Sequence, residues 1–463
     1  MEQRVVFDTE LIKRYDVAGP RYTSYPTAVQ FMEGFDGEAY RRHVAASNSE
    51  LIPKPLSLYV HLPFCKSLCY YCGCMKKVTR HTAQADQYLA LLDREIEMQG
   101  QLFDHDREVV QLHFGGGTPT YHDDAQLKAL MEQLGRHFSL SRDDDREFSI
   151  EVDPRTVGAD RLEALAEMGF NRISLGIQDV DPRVQKAVNR IQDTKSTLEM
   201  IGRARELGFN SVSVDLIYGL PLQTVESFSD TIDTVVQARP DRLAVYNYAH
   251  LPHIFRAQRM IDADDIPSPE TKLKLMELTI DRLGELGYVY IGMDHFALPE
   301  DELTIAQREG ELQRNFQGYS TRKGCDLVGL GVSSIGRVGD CYAQNIKDIQ
   351  TWQTTVEAGE LPIWRGLSLN TEDRLRRRVI ESIMCHGELK FEVMESMFAI
   401  DFHEHFAPEL LTLEEMEKDG LLVTRENSFT VTPAGRMLLR NIAMVFDEYL
   451  SQASEKPRFS RVI

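Results

Sequence analysis

Four of the seven cysteines in this 463-residue chain fall between residues 65 and 74, in the stretch PFCKSLCYYCGC. Cys65, Cys69 and Cys72 are spaced C-x3-C-x2-C, and Cys74 follows two positions later. Three chemistries call for thiolates this close. Structural zinc takes four tetrahedral ligands, usually from two cysteine pairs far apart in sequence, and here would need Cys74 or a remote histidine. A redox dithiol needs one C-x2-C pair and leaves Cys65 and Cys74 without a role. An iron–sulfur cluster draws its thiolates from a single flexible loop, which suits this packing. Three thiolates on a four-iron cube leave one iron open to an outside ligand, and the aromatic Tyr71 stands just before the third cysteine. The cluster is the favoured reading. Cys325, Cys341 and Cys385 are scattered and are expected as buried apolar fillers.

The elements around the loop read as alternating strands and helices. LSLYVHLPF is a strand running into the cysteines, and DQYLALLDREIEMQGQLF places Leu89, Leu92, Ile96 and Phe103 on one helix face. VVQLHF is a strand that breaks at GGGTPT. A helix, a Gly or Pro break and an apolar strand then recur in LEALAEMGFNRISLGIQD, IGRARELGFNSVSVDLIYGLP, TVVQARPDRLAVYNYAH and RLGELGYVYIGMDHF. The breaks at Gly169, Gly208, Pro240 and Gly287 are too irregular for a solenoid and suit βα units with variable loops. The fold class is α/β, an open or closed barrel, with a doubly wound sheet as the alternative. Such folds place their sites at strand C-termini, which here carry Gly115 to Thr118, Glu151 and Asp153, Gln178 and Asp179, Asp215, Asn247 and His250, and Asp294 and His295.

Flanking segments differ in character. GPRYTSYPTAVQF, rich in Gly, Pro and Tyr, predicts an extended arm. NTEDRLRRRVIESIMC, LEEMEKDGLL and FTVTPAGRMLLRNIAMVFDEYL predict helices, and LLVTRENSFTVTP a hairpin, together a small domain of winged-helix type. The expected divisions are an arm over 1–54, a barrel over 55–365 and a mainly helical domain over 366–463. A formal net charge of −20 argues against nucleic acid, and the basic run from Arg374 reads as a mostly solvated face. No stretch of about 18 apolar residues could span a bilayer and the N-terminus lacks a signal-peptide core, so no membrane and a cytoplasmic location are expected.

The cysteine loop resembles that of the radical S-adenosylmethionine (SAM) superfamily, which implies a 4Fe–4S cluster on Cys65, Cys69 and Cys72 and a partial (β/α)6 barrel. In that superfamily the open iron binds the amino and carboxylate groups of SAM, and reductive cleavage gives a 5′-deoxyadenosyl radical. A closer resemblance rests on GPRYTSYPTA, LSLYVHLPFC, CYYCGC, LHFGGGTPTY, IEVDPR, VNR, DLIYGLP, YNYAHLP, GMDHFA, RNFQGY, GDCYAQN and FSRVI, in that order along the chain. The set is similar to the oxygen-independent coproporphyrinogen III oxidase (dehydrogenase) family. The resemblance implies an oxidoreductase of haem (porphyrin) biosynthesis that converts two propionates of coproporphyrinogen III to vinyl groups, giving protoporphyrinogen IX.

It also implies residue roles. Tyr59 lies beside the cluster, Glu151 serves SAM, and Gly116 and Ile335 map to the same first SAM. A second SAM maps to Tyr71, Gly117, Thr118, Gln178, Arg190, Asp215 and Ala249. Asp215 can accept from hydroxyls and Arg190 can pair with a carboxylate, while Arg190 as a plain surface ion pair and Ile335 as plain core are the bland alternatives. The glycines of GGGTPT admit close backbone approach, with exposed amides to meet a carboxylate. A reductant and an external electron acceptor are required, and a monomer is expected. Arg21 in the arm is a candidate contact for a substrate carboxylate. Tyr71 and Leu298 depart from the family pattern, where phenylalanine and a basic residue are common. The rival reading is a related haem-binding chaperone, which typically lacks the PRYTSYP arm and carries phenylalanine in place of Cys74. Cys74 is thus read as a non-ligand neighbour of the cluster.

Overall fold

The computed structural model describes residues 5–322 and 324–451; the terminal FSRVI motif lies outside them. The chain packs as two compact units, one from 31–268 and 324–368 and the other from 1–30, 269–323 and 369–463.

The first unit is built on parallel strands β1 (Leu56–Leu62), β2 (Glu108–Gly116), β3 (Glu147–Val152), β4 (Arg172–Gln178), β5 (Ser211–Tyr218) and β6 (Arg242–Asn247). Their order is β6-β5-β4-β3-β2-β1, and it continues through β7 (Asp326–Leu330), β8 (Ile335–Val338), β9 (Cys341–Asn345) and β10 (Ile363–Ser368). β7 is parallel to β1, and the strands after it run antiparallel. These six βα strands are the partial barrel expected from the sequence. The crossovers carry helices α1 (Thr82–Gly100), α2 (Asp124–His137), α3 (Ala159–Glu167), α4 (Thr194–Glu206) and α5 (Val225–Val236). Their starts are capped locally: Asp123 with Gln126, and Thr224 with Ser227, form reciprocal capping boxes. Gly169 and Gly208 leave α3 and α4 at φ values of 97° and 85°, a region costly for any residue with a Cβ.

Two expectations need correction here. The buried face of α1 runs through Ala85, Tyr88, Leu92, Glu95, Ile96 and Gln99, while Leu89 is half-buried and Phe103 lies beyond the helix end. The carboxylate of Glu95 occupies the core position because Gly331 N–H, Asn345 Nδ2 and Trp352 Nε1 all donate to it. Also, the strand in RLGELGYVYIGMDHF is not a further parallel barrel strand. It folds as an antiparallel pair, Val289–Gly292 with His295–Ala297, and belongs to the second unit.

In that second unit, helices Thr371–His386, Phe391–Phe398 and Ala407–Lys418 pack with a three-stranded sheet, Glu388–Lys390, Leu422–Arg425 and Ser428–Val431. Phe391 stacks on Phe402 at 4.2 Å, and Phe406, Phe429 and Phe446 complete an aromatic core. The basic run is less solvated than expected. Arg376 turns inward, with Glu372 at 2.6 Å and Glu409 at 2.8 Å. The arm is pinned to this unit: Tyr15 donates to Asp419 and Tyr22 to Asp447. Residues 19–31 contain no α-helix, only a 3-10 turn at Ala28–Gln30, and helices Thr9–Arg14 and Gly37–Asn48 flank them. Cys325, Cys341 and Cys385 are buried and outside any disulfide, as expected of fillers.

Candidate active site

The cysteine loop leaves the C-terminal end of β1 and is closed at its base by backbone pairing of Phe64 and Cys65 with Lys77 and Val78. Two contacts with a segment before α4 hold it further, Tyr70 N–H to Val188 O at 3.0 Å and Asn189 Nδ2 to Leu68 O at 2.7 Å. Cys65, Cys69, Cys72 and Cys74 are all free thiols. Each predicted ligand has a donor aimed at its sulfur or its immediate surroundings. Thr118 Oγ1 donates to Cys65 Sγ at 3.4 Å. Arg155 Nη2 and Arg190 Nη1 reach Cys69 Sγ at 3.4 and 3.5 Å. Cys72 is pulled down to about 5 by a hydrogen bond from the Cys74 thiol, with the Lys76 ammonium adding to the shift against burial. The same bond raises the exposed Cys74 thiol, so the pair favours a single thiolate beside the Lys76 ammonium. Cys65 is pushed up to about 11 by burial, against the Thr118 bond.

Sheet register assembles the rest of the site. Tyr59 on β1 sits opposite His113 on β2, which sits opposite Ser149 on β3. One row further along, Glu151 on β3 faces Ser174 on β4. The side chains follow: Tyr59 stacks on His113 at 5.8 Å, and Tyr59 Oη lies 3.1 Å from His61 Nδ1. His113 Nε2 is 3.2 Å from Glu151 Oε1, and Gly116 N–H donates to Glu151 Oε2 at 3.2 Å. Burial opposes ionisation of Glu151, but the His113 and Gly116 contacts outweigh it and hold the carboxyl below its usual range. Its side chain keeps 43 % of its surface accessible although these groups enclose it, as a wall residue of a hollow does. Asp215 on β5 accepts from Ser174 Oγ at 3.4 Å. Burial, then the nearby Glu151 charge, push it up to about 7. Two carboxyls in one hollow are thus driven apart, Glu151 ionised and Asp215 poised near neutrality.

Gly115, Gly116 and Gly117 run between these groups. A Cβ on Gly116, at φ 113°, would meet the His61 ring at 2.6 Å, and one on Gly117 would meet Pro63 carbonyl carbon at 2.6 Å. The expectation of exposed amides is not met. Gly116 N–H is bonded to Glu151, Gly117 N–H to Leu62 O and Thr118 N–H to Phe64 O. What the glycines provide is close approach of this loop to the cysteine loop.

Arg190 is no surface ion pair. It is 6 % exposed and bonded to Asp153 at 3.4 Å, to Cys69 and to Gly176 O, while its Nε is buried with no partner. Gln178 is buried beside it at φ 70°. Tyr71 packs against the apolar cluster of Val184, Val188, Ile217 and Tyr248, and its carbonyl accepts from Gln258, as does that of Ala249. Ala249, just past β6, is exposed, and Ile335, opening β8, is half-buried rather than core. Leu298 is 4 % exposed and offers no contact surface.

The comparisons with known proteins agree with this geometry. The radical SAM superfamily profile matches residues 59–235 and that of the HemN C-terminal domain matches 369–438. A Pseudomonas aeruginosa protein named oxygen-independent coproporphyrinogen III oxidase is 51% identical over 463 residues, covering 100% of both chains. An Escherichia coli protein of the same name is 49% identical, covering 100% of this chain and 99% of its own. The solved structure described as coproporphyrinogen III oxidase (HemN) from Escherichia coli, a radical SAM enzyme, superposes with a TM-score of 0.91 at 48% identity, over 96% of this chain and 100% of that one. The chain belongs to the oxygen-independent coproporphyrinogen III oxidase family.

Members of the oxygen-independent coproporphyrinogen III oxidase family belong to the radical SAM superfamily, which is defined by a 4Fe–4S cluster and SAM, and the residues present fit both. Among the described residues no three His, Cys, Asp or Glu side chains converge closely enough to hold a single metal ion. Positive groups flank the thiols, and the glycine cradle opens beside them.

Sequence reasoning passed over several residues that this oxidase-family site uses: His61, Lys76, His113, Arg155 and Ser174. His113 had a legible signal, since Gln111 and His113 alternate on one face of a strand otherwise apolar. Arg155 had none, because its contact with Cys69 spans 86 positions.

Proposed function

We infer that this protein converts two propionate groups of coproporphyrinogen III to vinyl groups without oxygen, giving protoporphyrinogen IX in haem biosynthesis. The observation that carries the reading is the intact three-thiol loop, set in a glycine and arginine cradle, within a chain aligned over its full length to relatives of that name. Each conversion removes one hydrogen atom and one electron from the propionate and releases carbon dioxide. When bound, the cluster and SAM supply a 5′-deoxyadenosyl radical that takes the hydrogen atom. Cys65, Cys69 and Cys72 hold the cluster; Cys74 is not a ligand and lies beside it. The ionised Glu151 accepts from the ammonium of SAM, with Tyr59 fixing the wall behind it and Gly116 and Ile335 completing that contact. A second SAM rests on Tyr71, Gly117, Thr118, Gln178, Arg190, Asp215 and Ala249, and the unpartnered Nε of Arg190 supports an anionic group there. A reductant charges the cluster and a separate acceptor takes the substrate electron. The protein acts as a cytoplasmic monomer, with the arm over 1–54, barrel over 55–365 and helical domain over 366–463 as its functional divisions. No helix of the described residues is long and apolar enough to cross a membrane.

The test is anaerobic reconstitution of the cluster, followed by reductant, SAM and coproporphyrinogen III. 5′-Deoxyadenosine and protoporphyrin are expected after oxidation of the product. Absence of both would sink the enzyme reading, and haem retention without turnover would select the chaperone.

A further inference from the structure

Three sequence motifs that the site above does not use meet in the second unit. Arg21 comes from GPRYTSYPTA, Asp294 from GMDHFA and Arg314 from RNFQGY, and Arg440 joins them from helix Leu439–Met444. Two of the guanidinium groups grip successive carbonyls of the arm. Arg440 Nε donates to Pro20 O at 3.0 Å and its Nη2 to Gly19 O, and Arg314 Nε donates to Arg21 O at 3.2 Å. Arg314 lies 4.7 Å above the ring of Tyr319, its partner across the two-stranded ladder.

Three guanidinium groups and one carboxylate meet here. Asp294 is paired with Arg21. Arg440 and Arg314 are 4 % and 8 % exposed, and burial together with the charges of Arg21 and Arg314 brings Arg440 down to about 9. Arg314 Nη1 is buried and has no hydrogen-bond partner. A buried guanidinium N–H without an acceptor is costly, and the groups that relieve it best are planar anions that accept along its edge. The Tyr319 ring fixes the plane of the guanidinium, which makes it a receptor for a carboxylate rather than a loose surface cation.

We propose that Arg314, backed by Tyr319 and flanked by Arg21 and Arg440, binds a propionate carboxylate of coproporphyrinogen III. The proposal rests on the functional reading above and shifts the contact from Arg21, whose charge Asp294 already meets, to Arg314. Arg314 is a specificity-determining residue for the substrate's acid groups.

The test uses the full-length reconstituted protein under anaerobic conditions. Fluorescence titration with coproporphyrin III is compared with titration by its tetramethyl ester, and SAM binding is measured in parallel. Wild type is expected to bind the tetra-acid at least about 10-fold tighter than the ester. Arg314→Gln is expected to weaken tetra-acid binding by about 10- to 100-fold and to raise KM for coproporphyrinogen III more than it lowers kcat. SAM affinity stays at the wild-type value, and Arg314→Lys recovers part of the loss. Equal binding of acid and ester by wild type would overturn the proposal, whether or not the Arg314 variants fold. So would an Arg314→Gln protein with wild-type affinity, or one that lost SAM instead of the porphyrin. A wild type that binds the tetra-acid selectively yet makes no protoporphyrinogen would refute the functional reading and leave this carboxylate site standing.

Discussion

Arg190 and Arg314 are buried to nearly the same degree, at 6 % and 8 % exposure, yet their surroundings are opposite. Arg190, under the cysteine loop, has Asp153, the Cys69 sulfur and a backbone carbonyl around it. Arg314, in the second unit, has one carbonyl and one aromatic face. A buried charge with protein partners holds a site in shape, because removing either partner strands the other. One short of partners is adapted to something the protein does not itself contain. The first unit therefore carries an arginine held in place by its protein partners with one N–H to spare, and the second an arginine with few protein partners of its own.

The most drastic way to break that contrast is Cys69→Ala, which removes a predicted cluster ligand and the acceptor shared by Arg155 and Arg190. Loss of iron–sulfur absorbance and of all product formation is expected; retention of a full four-iron complement would refute the ligand assignment. Asp153→Asn removes the carboxylate partner of Arg190 and Arg155 and should destabilise the protein by about 3–5 kcal/mol in anaerobic urea denaturation, as for other broken buried pairs. Arg314→Gln should shift the same transition by less than about 1 kcal/mol, and equal losses at the two positions would erase the distinction between the two arginines.

Glu95 sharpens the comparison, since it is a fully buried acid with three neutral donors and no cation among them. Burial pushes it up to about 7 against those hydrogen bonds. Between the ordinary carboxyl range and about 7 the folded state binds the extra proton, so unfolding free energy falls as pH rises through that window. The total is on the order of 3 kcal/mol, and Glu95→Gln should flatten this part of the pH profile. Identical slopes in wild type and variant would exclude Glu95 as their source. The smallest effect is expected at Glu151→Gln, which keeps the shape and loses the charge beside His113. SAM binding by equilibrium dialysis should weaken about 10- to 100-fold, and unchanged binding would remove Glu151 from that contact.

Much of the first unit could be read from the chain because its signals are local. The cysteines lie within one loop, and helix, break and strand repeat in phrases that α3–β4 and α4–β5 realise at Gly169 and Gly208. The second unit was hard to read for the opposite reason. Its strands 289–292 and 295–297 share the phrase of a barrel unit but pair antiparallel with each other across a tight turn, and no local pattern distinguishes the two outcomes. Glu95 shows a related limit: a charge on the buried face of α1 makes sense only once Gly331, Asn345 and Trp352 are folded around it. His113 was within reach of strand alternation, whereas Arg155 and Arg314 depend on contacts that register and topology alone create.

The discontinuity of the second unit has a consequence for how the chain is made. Residues 31–268 contain all six βα strands and can begin to condense while the ribosome is still translating. The arm cannot, because Tyr22 finds its hydrogen-bond partner 425 positions later, at Asp447. The segment around Tyr22 must therefore wait for nearly the whole intervening chain to be made, and the arginine receptor it helps to frame is among the last features to exist.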